Sequence, residues 1–182
     1  QIAGDIELIR SKIIAQRAIN KLNLKISYYA KGTVLDLELY TASPFEVQAR
    51  IQDSSIFHKP FFIEFTDMNQ FTLRYTYNGQ KQEISHNKIN QWIKLPFGEF
   101  NIHIRDFANI SSQQKQFAQN AYYFVFNDEQ YLINRIVRDL LVYPLNFEAK
   151  TIVVKLKEKS AGWLKFRCVK KICMLLTVFF FI

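Results

Sequence analysis

Asp53, Ser54, Ser55 and His58 place an acid, two hydroxyls and an imidazole within six residues, the residue types of a hydrolytic relay. Relays of that kind are assembled from separated segments, and no GxSxG elbow surrounds either serine. DSSIFHKP therefore reads first as a polar loop between strands. His58, His86 and His103 supply potential metal ligands, yet no two stand at i, i+2 or i, i+4, the spacings that put two imidazoles on one face. His103 alternates with Ile102 and Ile104, which predicts a solvent-facing strand position. Gly4, Gly32, Gly79, Gly98 and Gly162 are isolated, so no GxGxxG or GxxxxGK[ST] phosphate cradle can be drawn through them. The tyrosines at 28, 29, 122 and 123 could stack on sugar rings, although aromatic residues in strands more often fill cores or pair across strands.

The chain has 182 residues, enough for one core of ordinary size. Seventeen Phe, nine Tyr and two Trp against five Gly and four Pro favour aromatic-rich strands over a helical bundle. The net charge of +8 suggests nucleic acid or a membrane surface, but its distribution is uneven. Residues 1–150 hold 17 basic and 15 acidic residues, a net of +2, and residues 151–182 hold seven basic residues and Glu158, a net of +6. Basic and aromatic residues interleave in WLKFRCVKK, yet no RNP-like, KH-like or zinc-finger spacing accompanies them, so no nucleic-acid partner is expected. Both cysteines, Cys168 and Cys173, lie in the same tail, so residues 1–150 can form neither a disulfide framework nor a zinc-thiolate site.

The elements that must position any site follow from periodicity. Asp5–Leu22 contains no Gly or Pro and predicts one continuous helix with two apolar stripes, Ile2, Ile6, Ile9 and Ile13, then Leu8, Ala15, Ile19 and Leu22. The charged Glu7, Arg10 and Arg17 lie on the arc between the stripes and are the candidate contact between copies. Short β-favouring runs follow at Ile26–Ala30, Val34–Tyr40, Phe45–Ile51, Phe61–Phe65, Phe71–Tyr77, Gln80–Ile84 and Phe100–Arg105. Asn78-Gly79 is the strongest hairpin signal, since both residues tolerate positive φ. Ser111–Gln116 reads as a polar loop and AYYFVFN as a further strand. Asn127, with Gln130 three positions on, predicts the cap of a second short helix ending near Leu141. LLVYPLN and KTIVVKLK predict a closing strand pair around Pro144–Ala149.

These residues, in this order, resemble the extracytoplasmic domain of the chain-length determinant family, the polysaccharide co-polymerases, especially the branch linked to bacterial tyrosine kinases. The resemblance runs from about Asp5 to Glu158. It is carried by DIELIRSK, KLNL at Lys21–Leu24, SYYAKG at Ser27–Gly32, ELY at Glu38–Tyr40, SPF at Ser43–Phe45, the FIEF strand, YYFVFN at Tyr122–Asn127 and YPLNFEAKTIVVKLK ending at Lys157. It implies a domain between two membrane helices on the periplasmic face of the inner membrane, assembling into homo-oligomers and controlling the length or export of a polysaccharide with the polymerase or export machinery. A cytoplasmic tyrosine kinase follows in the kinase-linked branch. The family continues after the last strand with a long helix, where this chain reads SAGWLKFRCVKKICMLL.

The expected architecture is α+β, with the N-terminal helix packed on a mixed sheet containing Leu140–Tyr143 and Thr151–Leu156, a β-rich insertion and a second short helix. Residues 1–158 form the expected domain, with 24–105 as the insertion. Residues 159–182 form an atypical basic and hydrophobic tail whose last eleven residues are too few to span a bilayer, which points to a truncated or out-of-frame end. The opening at Gln1, without a signal peptide, predicts an internal piece of a longer protein. The expected role is non-catalytic assembly, with no catalytic residue, cofactor or metal in this segment. A carbohydrate-binding β module and a small hydrolase using the Asp53–His58 cluster are the alternatives.

Overall fold

The computed structural model describes residues 2–22, 24–39, 42–117, 121–146 and 151–156. The expected tail, 159–182, lies outside them, as do residues 147–149 of the expected Pro144–Ala149 turn, whereas residues 144–146 belong to a strand. The described residues form an α+β fold of four helices and eleven strands in three sheets, and divide into two compact units.

The first unit brings the described residues up to Lys25 together with the described residues between Asp128 and Leu156. Its helices are α1 (Ile2–Ile9), α2 (Lys12–Leu22) and α4 (Glu129–Asp139), and its strands are β10 (Leu140–Asn146) and β11 (Thr151–Leu156). The single helix expected over Asp5–Leu22 is two helices, and Ser11 is the reason. The Ser11 N–H donates to the Leu8 carbonyl (3.0 Å), closing α1 with a tight turn. The Ser11 hydroxyl then accepts from the Ile14 N–H (3.4 Å) while its carbonyl accepts from Ala15, which is the N-cap arrangement. The break shifts the phase of the apolar positions. Ile9, Ile14, Ala15, Ala18 and Ile19 are buried, whereas Ile13, placed on the first stripe, is 62% exposed and Leu8, placed on the second, is 50% exposed.

Ala15 and Ile19 of α2 pack on Leu132, Ile133 and Ile136 of α4, so α2 meets a helix, while α1 meets β10. Asp128, one residue beyond the expected Asn127, caps α4: its Oδ1 accepts from the Tyr131 N–H at 2.8 Å. The helix ends at Asp139, two residues short of Leu141, because Leu140 already has extended backbone and opens β10.

The second unit, Ile26–Asn127, is built from two antiparallel sheets and one helix. The larger sheet has the order β2 (Leu37–Glu38), β1 (Ile26–Ala30), β9 (Tyr122–Phe126), β4 (Pro60–Phe65), β5 (Gln70–Tyr77), β6 (Gln80–Lys88). The smaller has the order β3 (Phe45–Ile51), β8 (Gly98–Ile104), β7 (Ile93–Leu95). Every strand pairing among the described residues is antiparallel, where a mixed sheet was expected. The strict alternation explains the core. Phe61, Ile63 and Phe65 of β4, Phe71, Leu73 and Tyr75 of β5, and Tyr122, Phe124 and Phe126 of β9 point one way. They form one cluster with Phe45, Val47, Phe97, Phe100 and Ile102, packed largely by tilted and edge-to-face ring contacts.

Two segments of this unit depart from the sequence reading. The strand expected over Val34–Tyr40 is reduced to Leu37–Glu38, and Val34 and Leu35 are 89% and 80% exposed. Gly32 starts a turn so close that a Cβ there would collide with the Leu35 carbonyl. The polar stretch Ser111–Gln116 belongs to a helix, α3 (Phe107–Phe117). Asp106 caps it by accepting from the Asn109 N–H (3.0 Å), and Ile110 is its buried anchor. Its Gln114 amide pairs with the backbone of Phe65, donating to the carbonyl at 2.9 Å and accepting from the N–H at 2.8 Å. The β9 ladder along β4 stops at Ile63, so the Gln114 side chain satisfies the strand end that β9 leaves unpaired.

Candidate functional site

The Asp53–His58 cluster is organised by local backbone needs. Asp53 Oδ1 accepts from the Ser55 N–H at 2.8 Å and so caps a short 3-10 turn, Ser54–Ile56, while Oδ2 accepts from the Tyr77 hydroxyl at 2.8 Å. The Ser55 N–H, then the Tyr77 and Ser55 hydroxyls, hold the Asp53 carboxyl below its usual range, and the same bond pushes the Tyr77 hydroxyl up. Both carboxylate oxygens thus serve the turn and the neighbouring strand. His58 follows with φ +63°, a left-handed conformation that lets its N–H reach the Phe126 carbonyl at 2.9 Å.

The other two histidines lie elsewhere in the same unit. His86, on β6, has Nδ1 3.4 Å from Gln70 Oε1; His103, on β8, has Nε2 3.2 Å from the Asn101 amide nitrogen. His103 is half-buried, less open than its alternation with Ile102 and Ile104 suggested. The described residues contain no group of three or more His, Cys, Asp or Glu placed to hold a metal ion.

Of the candidate contact residues, Glu7 and Arg10 come together at 3.8 Å as an i, i+3 pair on the surface. Arg10 also donates to the Val142 carbonyl at 2.9 Å, which ties the α1–α2 break to β10. Arg17 is exposed on α2, the other side of that break. The three residues therefore do not form the continuous charged arc expected of one helix: all three are exposed, but Arg10 is also tied to β10 through the Val142 carbonyl.

The four tyrosines separate by strand alternation. Tyr28 and Tyr122 face the core, and burial pushes each hydroxyl up to about 12. Tyr29 and Tyr123 face the other way and lie directly opposite each other on β1 and β9, with rings stacked at 4.8 Å and 9°. Phe62 of β4, opposite Tyr123 on its other side, lies 5.4 Å from it at 47°.

Strand register extends this line across the whole sheet. Glu38 pairs with Tyr29, Phe62 with Arg74, and Arg74 with Glu83. One row of the face turned away from the core therefore reads Glu38, Tyr29, Tyr123, Phe62, Arg74, Glu83. The Tyr123 hydroxyl donates to Asp36 Oδ2 at 3.0 Å, and Lys31 Nζ lies 3.2 Å from Asp36 Oδ1. Burial would raise the Asp36 carboxyl, but the bonds from Lys31, Tyr123 and the Gly32 N–H outweigh it and hold the group below its usual range. Burial together with that anionic partner pushes the Tyr123 hydroxyl well up. Arg74 in turn meets Glu64 at 3.2 Å. Each aromatic residue is visible in the sequence as the outward half of an alternating strand; their alignment is a matter of register, which the sequence does not print. No known protein-family model matches the chain, and no curated protein matches it either.

Proposed function

We propose that the chain is the extracytoplasmic assembly domain of a polysaccharide co-polymerase of the chain-length determinant type, acting through contacts between copies on the periplasmic face of the inner membrane. The ordered resemblance from Asp5 to Glu158 is one support. The observation that carries the reading is the first compact unit: residues 2–25 and 128–156 fold together through α2 on α4 and α1 on β10. A domain held between two membrane helices needs its early and late segments to share one body, and this unit supplies it. The intervening Ile26–Asn127 unit is then free to differ without disturbing the segments nearest the anchors.

In this reading the domain binds other copies and the polymerase or export machinery, and any tyrosine kinase activity belongs to another part of the parent protein. The test uses that parent in cells. Arg10 is unsuitable for charge reversal because, although exposed, it holds the Val142 carbonyl; Glu7 and Arg17 are exposed as well and are reversed instead. Glu7→Lys with Arg17→Glu is expected to change polymer length or the size of the detergent-solubilised oligomer while leaving the thermal midpoint unaltered. Unchanged polymer length together with unchanged oligomer size would assign this face to solvent and remove the proposed contact.

A further inference from the structure

We infer that two copies of this chain pair through the open edge of β6, as antiparallel strands related by a two-fold axis at Gln82, so that their six-stranded sheets join into one. The pairing goes beyond the assembly role and stands without it. Among the described residues β5 is the only strand beside β6. The other edges of the Ile26–Asn127 unit are short or already served. β2 has two residues and β7 three, and on β3 the Ser43 and Tyr28 hydroxyls bond both backbone groups of Phe45 and Val47. β6 has nine residues, none of them proline.

The hydrogen-bonding phase of β6 follows from its hairpin. Asn78 and Gly79 form a two-residue turn with positive φ, so the closing pair, Tyr77 and Gln80, bond each other. Alternation then turns the backbone groups of Gln82 and Ile84 toward β5 as well, and the N–H and C=O of Lys81 and Glu83 away from it. The regular stretch ends after Ile84, where the register shifts and His86 takes φ +58°. Gln80–Ile84 is therefore the segment left to pair, and Gln82 is its centre.

Charge selects the same centre. Lys81 and Glu83 lie opposite Thr76 and Arg74, on the face turned away from the core, and both are exposed. With Gln82 against its own copy, Lys81 of each chain faces Glu83 of the other, and each such pair exchanges both of its outward backbone bonds. Moving the centre by one residue sets Lys81 against Lys81 or Glu83 against Glu83, which is repulsive. Because Arg74 is the Cα partner of Glu83, the joined sheet carries a row of alternating sign: Arg74, Glu83, then Lys81 of the second copy. The Ser85 hydroxyl donates to Glu83 Oε1 at 3.3 Å, and a carboxylate keeps further acceptor positions for the incoming ammonium.

The test is sedimentation velocity of the full chain from about 5 to 500 µM. So short a contact belongs at the weak end of specific interfaces, and half-association near about 100 µM is expected. Lys81→Glu and Glu83→Lys should each weaken association about tenfold or more. An equimolar mixture of the two variants should restore it, because every facing pair is then opposite in charge. Hydrogen exchange in the unaltered chain should slow at the Lys81 and Glu83 amides as concentration rises and stay constant at Gln82, whose N–H points to β5; this readout decides should a variant fail to fold. A monomer throughout the range, association of either single variant at the parent's strength, no recovery on mixing, or exchange at Lys81 and Glu83 that ignores concentration would each overturn the pairing. Reversing Glu7 and Arg17, which belong to the other unit, should leave this dimer intact, so its loss and the loss of the assembly contact are read separately.

Discussion

The Tyr28 hydroxyl accepts the Val47 N–H at 2.9 Å and donates to the Val47 carbonyl at 3.4 Å. Tyr28 belongs to β1 of the six-stranded sheet and Val47 to β3, the edge of the three-stranded one, so a single side chain satisfies an edge position that no further strand pairs among the described residues. Both residues are buried. Tyr28→Phe keeps the ring and its edge contact with Phe45 but strands the Val47 N–H, which should cost about 1–3 kcal/mol. Urea unfolding of the two proteins measures this directly, and a difference below about 0.5 kcal/mol would mean that water reaches the bond.

The same burial predicts an alkaline limit. An unperturbed tyrosine ionises near pH 10, whereas Tyr28 and Tyr122 are pushed up to about 12 in the fold. Because the folded values lie above the unfolded one, the stabilisation is complete below about pH 10 and is lost as pH rises through about 12. Unfolding midpoints followed over that window should fall, and Tyr28→Phe should make the fall shallower. A flat profile would show that both hydroxyls titrate as they do in the unfolded chain.

Two glycines with positive φ should respond differently to alanine. Gly98 has φ +143° opposite Ile51, and a Cβ there would collide with the Arg50 carbonyl, so Gly98→Ala should cost about 2 kcal/mol or more. Gly79, at φ +77° in the β5–β6 turn, has open space around it, so only the backbone preference is lost, about 1 kcal/mol. Thermal unfolding of the two variants should give that order, and the reverse order would place the close approach elsewhere.

At α4 the adjacent Asn127 and Asp128 have separate tasks. Asp128 caps the helix, and Asn127 donates to the Ser27 hydroxyl at 2.9 Å. Asp128→Ala should remove about 1 kcal/mol of stability and loosen amide protection in the first turn of α4. Asn127→Ala should leave that protection intact. Hydrogen exchange at Tyr131 and Leu132 distinguishes the two outcomes.

Legibility followed the range of the interactions concerned. The Asn78-Gly79 hairpin was readable because both residues adopt the positive φ that their types favour, +49° and +77°, and the outward or inward fate of each aromatic residue on β4, β5 and β9 follows from alternation. Ser11 was hidden because a serine inside a long helical pattern is tolerable on propensity alone, and only the competing N-cap bond breaks the helix. The helix α3 was hidden because SSQQKQ is polar; its signals were the capping Asp106 and the spacing of Phe107, Ile110 and Phe117, read against a loop-like composition. The aromatic row could not be read at all, since the facing of Tyr29 to Tyr123 and of Tyr123 to Phe62 depends on which distant strands pair and in what register.

Ile26 and Phe126 are Cα partners on neighbouring antiparallel strands, and just beyond them, in the first unit, Lys25 Nζ meets Glu129 Oε2 at 2.8 Å. The chain therefore leaves one unit and returns to it through points about one strand spacing apart. Such a segment is a cassette: it can be excised and its flanks rejoined by a short turn, or exchanged for a different fold, without re-routing the residues on either side. Variation can thus accumulate between Ile26 and Asn127 while the helices and strands that precede and follow it stay under their own, separate constraints.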